Sequence, residues 1–262
     1  MTSTSSVSVQ HERFNCRLDG RMDAPVVVLS NSLGTNLAMW DEQLPALTQR
    51  FRVLRYDQRG HGASSVTPGP YTIAQLGRDV LGLLEALRIE RVHFCGLSMG
   101  GMTGMWLAVN AADRIDRLVL ANTTPKIGTP EVYDARIETV RKGGLAVVAD
   151  VVIERWFTKN FRARAPEAVA RIRAMLMATP AEGYMAACGA IRDMDQREAI
   201  RSIRSPTLVI SGTHDVATPP ADGRRIAESI AGARYAELDA SHISNIEANE
   251  RFTAELTAFL AS

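Results

Sequence analysis

Short runs of β-branched and aliphatic residues alternate along this chain with longer stretches of helical periodicity. Residues 26–29 (Val-Val-Val-Leu) form a run typical of a buried parallel strand. Residues 73–87 place apolar side chains three and four positions apart, and Thr72 before them is suited to cap a helix. Further strand-like runs occur at residues 51–56, 92–95, 118–120 and 207–210. The alternation predicts an α/β fold in which a mostly parallel, twisted sheet carries helices on both faces.

This alternation stops between residues 123 and 205, where the pattern is mostly helical. The helical pattern is interrupted by Gly143-Gly144, Pro166 and Pro180, and a new strand resumes after Pro206. Because the stretch falls between two strands of the predicted sheet, we interpret residues 123–205 as a helical lid over the strand ends. Residues 1–122 and 206–262 would then form the core domain. Residues 7–18 predict an antiparallel hairpin at one edge of the sheet.

Positive charge is concentrated in the predicted lid. Residues 123–205 contain 14 Lys and Arg against 10 Asp and Glu, a formal charge of +4. The rest of the chain has 16 basic and 19 acidic residues, a formal charge of −3. The excess is compatible either with a solvated helical surface or with a site that favours anions.

Composition excludes several functional classes. A net charge of +1 argues against a nucleic-acid partner, and no stretch of about 18 apolar residues predicts a membrane span. Residues 1–9 lack the pattern of a secretory signal, and three widely spaced cysteines fit reduced thiols, so we expect a cytoplasmic protein. No dinucleotide or phosphate-loop fingerprint and no zinc spacing is present, which predicts a reaction without cofactor or metal. Oligomeric state is not predictable from these features.

The segment around Ser98 carries the strongest chemical signal. A predicted strand leads into Gly96-Leu97-Ser98-Met99-Gly100, and a predicted helix follows. This Gly-x-Ser-x-Gly pattern is typical of a nucleophilic serine on a sharp strand-to-helix turn, where the glycines allow close approach of the backbone. The amino terminus of the helix favours negative charge beside the serine. We therefore predict that Ser98 is a nucleophile rather than a structural turn residue.

Two backbone amides are expected to stabilise an oxyanion near Ser98. One is the N–H of Met99, the residue after the nucleophile. The second belongs to the loop after the 26–29 strand, Ser30-Asn31-Ser32-Leu33-Gly34-Thr35, and we assign it to Leu33. These two donors form the predicted oxyanion hole.

The general base and its acidic partner are predicted from chain order. With a nucleophile on such a turn, the acid and then the histidine follow the serine. His242 comes after the strand-like residues 235–238 and leaves room for an acid before it. Asp215 directly follows the 207–210 strand and would orient His242. Asp239 is the alternative acid. An acid could also follow the 118–120 strand, but the chain has Asn122 there, which cannot ionise. The histidines that fit the base role less well are His11, His61, His93 and His214.

The chain resembles the α/β-hydrolase superfamily over nearly its whole length. In addition to the serine turn, residues 56–64 (Tyr-Asp-Gln-Arg-Gly-His-Gly-Ala-Ser) are similar to a loop-bracing turn of that superfamily, and residues 212–219 to its acid-bearing segment. More narrowly, the chain resembles the 3-oxoadipate enol-lactonases of the β-ketoadipate pathway. That resemblance rests on residues 29–35 (Leu-Ser-Asn-Ser-Leu-Gly-Thr), 39–41 (Met-Trp-Asp), 96–101 and 154–158 (Glu-Arg-Trp-Phe-Thr).

This resemblance implies a small anionic lactone as the partner, hydrolysed through an acyl-enzyme on Ser98 in the breakdown of aromatic compounds. The substrate carboxylate would need a cation, and the lid offers Arg136, Arg155 and Arg192 as candidates. The candidate apolar walls are Trp40, Trp156 and Met99. Each of these side chains also has an ordinary interpretation, as a surface arginine or a core residue.

Other functions use the same triad. They include other serine carboxylesterases, cofactor-free haloperoxidases with perhydrolase activity, and hydrolases of carbon–carbon bonds. A non-catalytic ligand receptor on the same scaffold is a different class, which the complete set of Ser98, Asp215 and His242 disfavours.

Overall fold

The computed structural model describes residues 3–262, with side chains from residue 6 onward. Two predictions therefore lie partly outside the described residues. They are the absence of a secretory signal in residues 1–9 and the amino-terminal limit of the core domain. Within residues 3–262 eight strands form one sheet in the order β1-β2-β4-β3-β5-β6-β7-β8. The strands are β1 (Ser3–Val9), β2 (Glu12–Asp19), β3 (Val26–Ser30), β4 (Arg52–Tyr56), β5 (Val92–Leu97), β6 (Ile115–Ala121), β7 (Thr207–Gly212) and β8 (Arg234–Leu238).

The sheet is antiparallel only at its first edge. β1 pairs with β2 and β2 pairs with β4 in antiparallel register, and all the other pairs are parallel. β5 and β7 are buried along their whole length, as expected for strands covered on both faces. The predicted α/β fold class is confirmed, as is the hairpin at the edge.

Eleven α-helices occur in the described part of the chain. They are α1 (Leu44–Leu47), α2 (Ile73–Ala86), α3 (Met99–Asn110), α4 (Pro130–Gly143), α5 (Ala146–Trp156), α6 (Lys159–Arg164), α7 (Pro166–Ala178), α8 (Ala181–Asp193), α9 (Pro220–Ser229), α10 (Ser244–Glu247) and α11 (Asn249–Leu260). The Thr72 hydroxyl accepts a hydrogen bond from the Gln75 amide at 3.0 Å, so the predicted cap of α2 is present. None of these helices is long and apolar enough to cross a bilayer.

Helices α4 to α8 lie between β6 and β7, in the stretch predicted to be a lid. The predicted breakers fall at helix ends: α4 ends at Gly143, α7 begins at Pro166 and Pro180 precedes α8. We call residues 123–205 the inserted segment. Its division from the core as a separate lid stays a prediction.

The order of the strands determines where the functional residues meet. β3 and β5 are neighbours, with Ser30 opposite Gly96, so the loop after β3 lies beside the serine turn. β6, β7 and β8 follow in the sheet, and their carboxyl ends lie at the same edge because all three are parallel to β5. In parallel sheets this edge is where ligands bind.

Candidate active site

Ser98 occupies a sharp turn between β5 and α3. Its backbone has φ 57° and ψ −116°, a conformation that a residue with a side chain adopts only under strain. The turn needs flanking glycines because a Cβ at Gly100 would lie 2.2 Å from the Ser30 carbonyl oxygen, and one at Gly96 2.1 Å from the Gly100 carbonyl oxygen. The turn therefore has the geometry expected of a strained nucleophile loop.

The loop after β3 is fixed against this turn. The Gly100 amide donates to the Asn31 carbonyl at 3.0 Å, which ties the start of α3 to the loop. The amides on either side of Leu33 are engaged, that of Ser32 with the Met39 sulfur and that of Gly34 with His61. Among the described residues, the amides of Leu33 and Met99 have no hydrogen-bond acceptor. They remain the two donors that we assign to the oxyanion hole.

His61 holds this loop in place rather than acting as a base. Its Nε2 accepts from the Gly34 amide at 3.0 Å, and its Nδ1 lies 3.1 Å from the Arg59 carbonyl. Burial lowers the pKa of His61, so the neutral ring can accept at one nitrogen and donate at the other. Arg59 pairs with Asp79 at 2.6 Å, in agreement with the bracing role predicted for the turn.

Trp40 does not line the active-site cavity, contrary to the prediction. Its side chain is fully buried, its Nε1 donates to the Asn31 side-chain oxygen at 3.0 Å, and its ring contacts that of Phe252. Trp40 therefore supports the loop after β3 from within the core. Met99 is also fully buried and lies outside the cavity wall, so only its backbone amide stays a candidate for a site role.

His242 and Asp215 form a buried pair. The His242 Nδ1 lies 2.8 Å from Asp215 Oδ2, with 4% and 0% of the side chains exposed. Because an ionised carboxylate only accepts, Nδ1 carries the proton and Nε2 keeps its lone pair, as a general base requires. Asp215 also accepts from the amides of Ala217 and Thr218 and from the Thr218 hydroxyl, at 2.7–3.0 Å. Burial alone would raise the pKa of Asp215, but the charge and hydrogen bond of His242, with further hydrogen bonds, keep it below its ordinary value.

The remaining candidates for base and acid lie elsewhere. Asp239 is 94% exposed and pairs with His214 at 2.8 Å, so it does not orient His242. His93 lies at the amino-terminal end of β5 against Phe51, and His11 lies in the turn between β1 and β2. Asp215 and His242 are thus the acid and base that this geometry favours.

A cavity of about 200 Å³ connects Ser98 and His242 with the inserted segment. This volume is below the ~300–1,000 Å³ common for drug-sized ligands, so it suits a small substrate. Arg136, Arg155 and Trp156, predicted from sequence, all line it. The other lining residues are Ser32, Leu33, Ile127, Gly128, Thr129, Val132, Tyr133, Val152, Tyr184, Ile191, Val216, Ala217 and Thr218.

Among the residues that the structure describes, Arg136 and Arg155 are the two charged side chains of this wall, apart from the titratable His242. Arg136 is half-buried, with its guanidinium 5.0 Å from the centre of the Tyr133 ring, and Arg155 is exposed. Neither forms a salt bridge with any acidic side chain in residues 6–262, and no carboxylate lines the cavity. The cavity therefore has an uncompensated positive charge.

Arg192 lies outside the cavity, which corrects the prediction that it contacts substrate. Its guanidinium pairs with Asp134 and Asp193, each at 2.7 Å, and lines a separate surface groove beside Pro68 and Pro70. Because two carboxylates already neutralise it, Arg192 is not available to bind a third.

The inserted segment is attached directly to the loop that carries His242. The Ser241 hydroxyl donates to the Arg155 carbonyl at 2.7 Å, and the Ile243 amide donates to the Trp156 carbonyl at 3.1 Å. Glu247 accepts from the amides of Ser241 and Thr158, at 2.9 and 3.2 Å. The end of α5 and the base are therefore held in a fixed relation.

Sequence reasoning missed several residues at this site. Asn122 and Thr218 both donate to Asp215, and Tyr133 and Tyr184 line the cavity. For Asn122 a signal existed, since it stands where β6 ends at the same edge as Asp215. The tyrosines lie on helices of the inserted segment, whose packing cannot be derived from periodicity alone.

The three cysteines are poorly suited to nucleophilic chemistry. Cys16, Cys95 and Cys188 are all buried. Burial raises the pKa of Cys188 to about 12, and burial together with the charge of Asp57 raises the pKa of Cys16 to about 11. A thiol with a pKa this high is almost wholly protonated at neutral pH, and the thiolate is the reactive form. In residues 6–262 no group of three or more His, Cys, Asp or Glu side chains is placed to hold a metal ion.

Comparison with known proteins shows the family to which the chain belongs. The pattern of the family described as alpha/beta hydrolase fold matches residues 25–249. 3-Oxoadipate enol-lactonases 2 and 1 of Acinetobacter baylyi are 41% and 40% identical to the chain; each alignment covers 97% of this chain, and 96% and 95% of the respective relatives. The crystal structure of the enol-lactonase from Burkholderia xenovorans superposes with a TM-score of 0.97 at 51% identity, covering 98% of this chain and all of that one. The resemblance inferred from the motifs is confirmed, and the chain belongs to the α/β-hydrolase family.

Proposed function

We propose that this protein hydrolyses 3-oxoadipate enol-lactone to 3-oxoadipate through an acyl-enzyme on Ser98. The observation that carries the proposal is the cavity itself. It joins Ser98 and His242 to two arginines that have no acidic partner in the described part of the chain. The chain is 40–51% identical to enol-lactonases over nearly its whole length. A small, positively charged cavity suits a small lactone that bears a carboxylate.

In the first half of the reaction, Ser98 Oγ attacks the lactone carbonyl while His242 Nε2 removes the hydroxyl proton. Asp215 holds the imidazole in the required tautomer and stabilises the imidazolium ion. The oxyanion of the tetrahedral intermediate accepts hydrogen bonds from the amides of Leu33 and Met99. Collapse of the intermediate breaks the ring C–O bond and leaves the acyl group on Ser98.

The leaving group favours this chemistry. The ring oxygen departs as an enolate, which is a better leaving group than an alkoxide. The His242 imidazolium gives the proton taken from Ser98 to this group, which becomes a ketone, and the imidazole is neutral again. His242 then removes a proton from water, and the resulting attack on the acyl-enzyme releases a carboxylate and regenerates Ser98. One water is consumed and no redox change occurs, so the cycle needs no cofactor.

Arg136 and Arg155 are proposed to recognise the substrate's free carboxylate. A guanidinium matches a carboxylate with two parallel hydrogen bonds, and such bonds are stronger where water is partly excluded. Arg136 is the more enclosed of the two and is expected to dominate. Trp156 supplies an apolar wall beside them.

The proposal includes a cytoplasmic location and no nucleic-acid or membrane partner. A near-neutral net charge of +1 and buried cysteines without disulfides support it.

The test is the rate of hydrolysis of 3-oxoadipate enol-lactone, followed by its ultraviolet absorbance, with p-nitrophenyl acetate as a neutral comparison. We expect kcat/KM for the lactone to exceed that for the neutral ester by at least tenfold. Slow turnover of the lactone beside rapid hydrolysis of the ester would retain a serine hydrolase and reject the enol-lactonase.

A further inference from the structure

Asn122 is the first residue after β6 and lies beside the proposed acid and base. It is fully buried, and its backbone has a left-handed φ of 43°. Its backbone N–H donates to the Ile210 carbonyl at 2.8 Å. Asparagine tolerates this backbone conformation better than most residues with a side chain. The turn therefore directs Asn122 into the interior between the loops that follow β7 and β8.

The side-chain amide of Asn122 connects these two loops. Its Nδ2 donates to Asp215 Oδ2 at 3.0 Å and to the Ser241 carbonyl at 3.1 Å, while its Oδ1 accepts from the Ser244 hydroxyl at 2.5 Å. A carboxylate and a carbonyl only accept, and a hydroxyl can donate, so the orientation of the amide follows from its partners. The Asn122 side chain thus contacts Asp215 and also residues that precede and follow His242 in the sequence.

We propose that Asn122 is a positioning residue that keeps Asp215 ionised and fixes its loop against the loop of His242. The inference rests on the proposed roles of Ser98, Asp215 and His242. Asp215 Oδ2 receives donors from His242, Thr218 and Asn122, so the ring of His242 is one of three groups that define where this oxygen lies. Without the amide, the carboxylate would lose both a donor and a link to the histidine loop.

The polarity of the amide matters as much as its shape. An aspartate at position 122 would have the same size and tolerate the same backbone, but it would place a second carboxyl group beside Asp215. The other titratable groups on the segments around the pair are Asp222 on α9, Glu247 on α10, Arg155 at the end of α5, and His214, which precedes Asp215 and pairs with Asp239. These groups are unchanged in an Asn122→Asp variant, which adds only a carboxyl group. Two buried carboxyl groups in contact cannot both ionise, so the pair binds a proton at a higher pH than Asp215 does alone, and a partly protonated Asp215 no longer supports His242.

The experiment compares Asn122→Gly and Asn122→Asp with the wild type on p-nitrophenyl acetate, a neutral ester that does not depend on recognition of the lactone. Asn122→Gly removes the side chain but retains a backbone suited to a positive φ. We expect kcat to fall roughly 10-fold to 150-fold, the range for losing a hydrogen bond to a charged group, with KM within about twofold. For Asn122→Asp we expect the acidic limb of the kcat/KM profile to move to higher pH.

Asn245→Gly is the matched control. Asn245 is equally buried and lies on α10, but it donates to the Met39 carbonyl and to Gln43 rather than to the triad. It should lower the unfolding temperature without lowering kcat in the folded protein, which separates a loss of stability from a loss of positioning.

Each outcome has one consequence. Normal kcat in folded Asn122→Gly, or an unmoved acidic limb in Asn122→Asp, would overturn the inference while leaving the proposed function intact. If Asn122→Gly does not fold, the pH profile of Asn122→Asp decides alone. Ester hydrolysis that persists in the Ser98→Ala variant would overturn the proposed function and this inference together.

Discussion

Replacing the two cavity arginines one at a time tests how the protein would select an anionic substrate. Arg136→Gln and Arg155→Gln each remove a positive charge from the cavity while retaining a polar, though shorter, side chain. Neither arginine has an acidic partner in residues 6–262, so neither change leaves a carboxylate of the protein unpaired. A loss of activity would therefore reflect a lost contact with substrate rather than a broken ion pair.

The expected magnitude differs between the two arginines because their exposure differs. Arg136 is half-buried, and losing a hydrogen bond to a charged group in such a place costs about 1.5–3 kcal/mol. At about 1.4 kcal/mol per factor of ten, kcat/KM for the anionic lactone should fall roughly 10-fold to 150-fold. Arg155 is exposed, where solvent screens the interaction to about 1 kcal/mol or less, so the fall should be about fivefold or less.

The assay measures kcat/KM for the enol-lactone and for p-nitrophenyl acetate with each variant. The neutral ester should lose less than twofold, because it carries no carboxylate to be recognised. Arg192→Gln is the matched control, since Arg192 lies on the same inserted segment but outside the cavity. An equal loss on both substrates, or a loss in Arg192→Gln as large as that in Arg136→Gln, would refute the reasoning.

Three further perturbations test the framework of the site. Gly100→Ala places a Cβ 2.2 Å from the Ser30 carbonyl oxygen, so we expect a destabilisation of about 1–3 kcal/mol or more, seen as a lower Tm, with loss of activity; an unchanged Tm would contradict this. Arg59→Leu leaves Asp79 buried without its partner and should lower the free energy of unfolding by about 3–5 kcal/mol in urea titrations, whereas a change below about 1 kcal/mol would show that the pair is not needed. Burial raises the pKa of Asp222 in the folded protein, so ionisation of Asp222 opposes folding. The stability present while Asp222 is protonated is therefore lost as the pH rises through the folded-state pKa. Asp222→Asn should therefore stabilise the protein more at pH 7 than at pH 4 in urea midpoints, and an equal effect at both pH values would exclude this linkage.

Much of the fold was predictable because its signals are local. Each of these signals constrains the backbone within a few residues. They are the β-branched runs of the strands, the capping residue Thr72 before α2 and the glycines around Ser98. Chain order then restricted the candidates for acid and base, and the structure places Asp215 and His242 2.8 Å apart.

Residues whose role depends on tertiary packing were harder to assign. Trp40 and Trp156 are both tryptophans near predicted functional segments, yet one lies in the core and the other lines the cavity. Similarly, Arg136 and Arg192 lie on neighbouring helices, and only the position of Asp134 and Asp193 distinguishes a neutralised arginine from an available one. Asn122 was set aside as an acid because it cannot ionise, and its role as a donor appears only when the loops after β7 and β8 are in place.

The central claim is that Ser98 is the nucleophile that opens the lactone. The most direct measurement titrates the protein with a fluorophosphonate, maps the modified peptide by mass spectrometry and records the remaining enol-lactone hydrolysis at each step. We predict that lactonase activity falls in proportion to the fraction of Ser98 modified and reaches zero at one label per chain. Lactone hydrolysis that persists at the wild-type rate with Ser98 fully modified would contradict the mechanism.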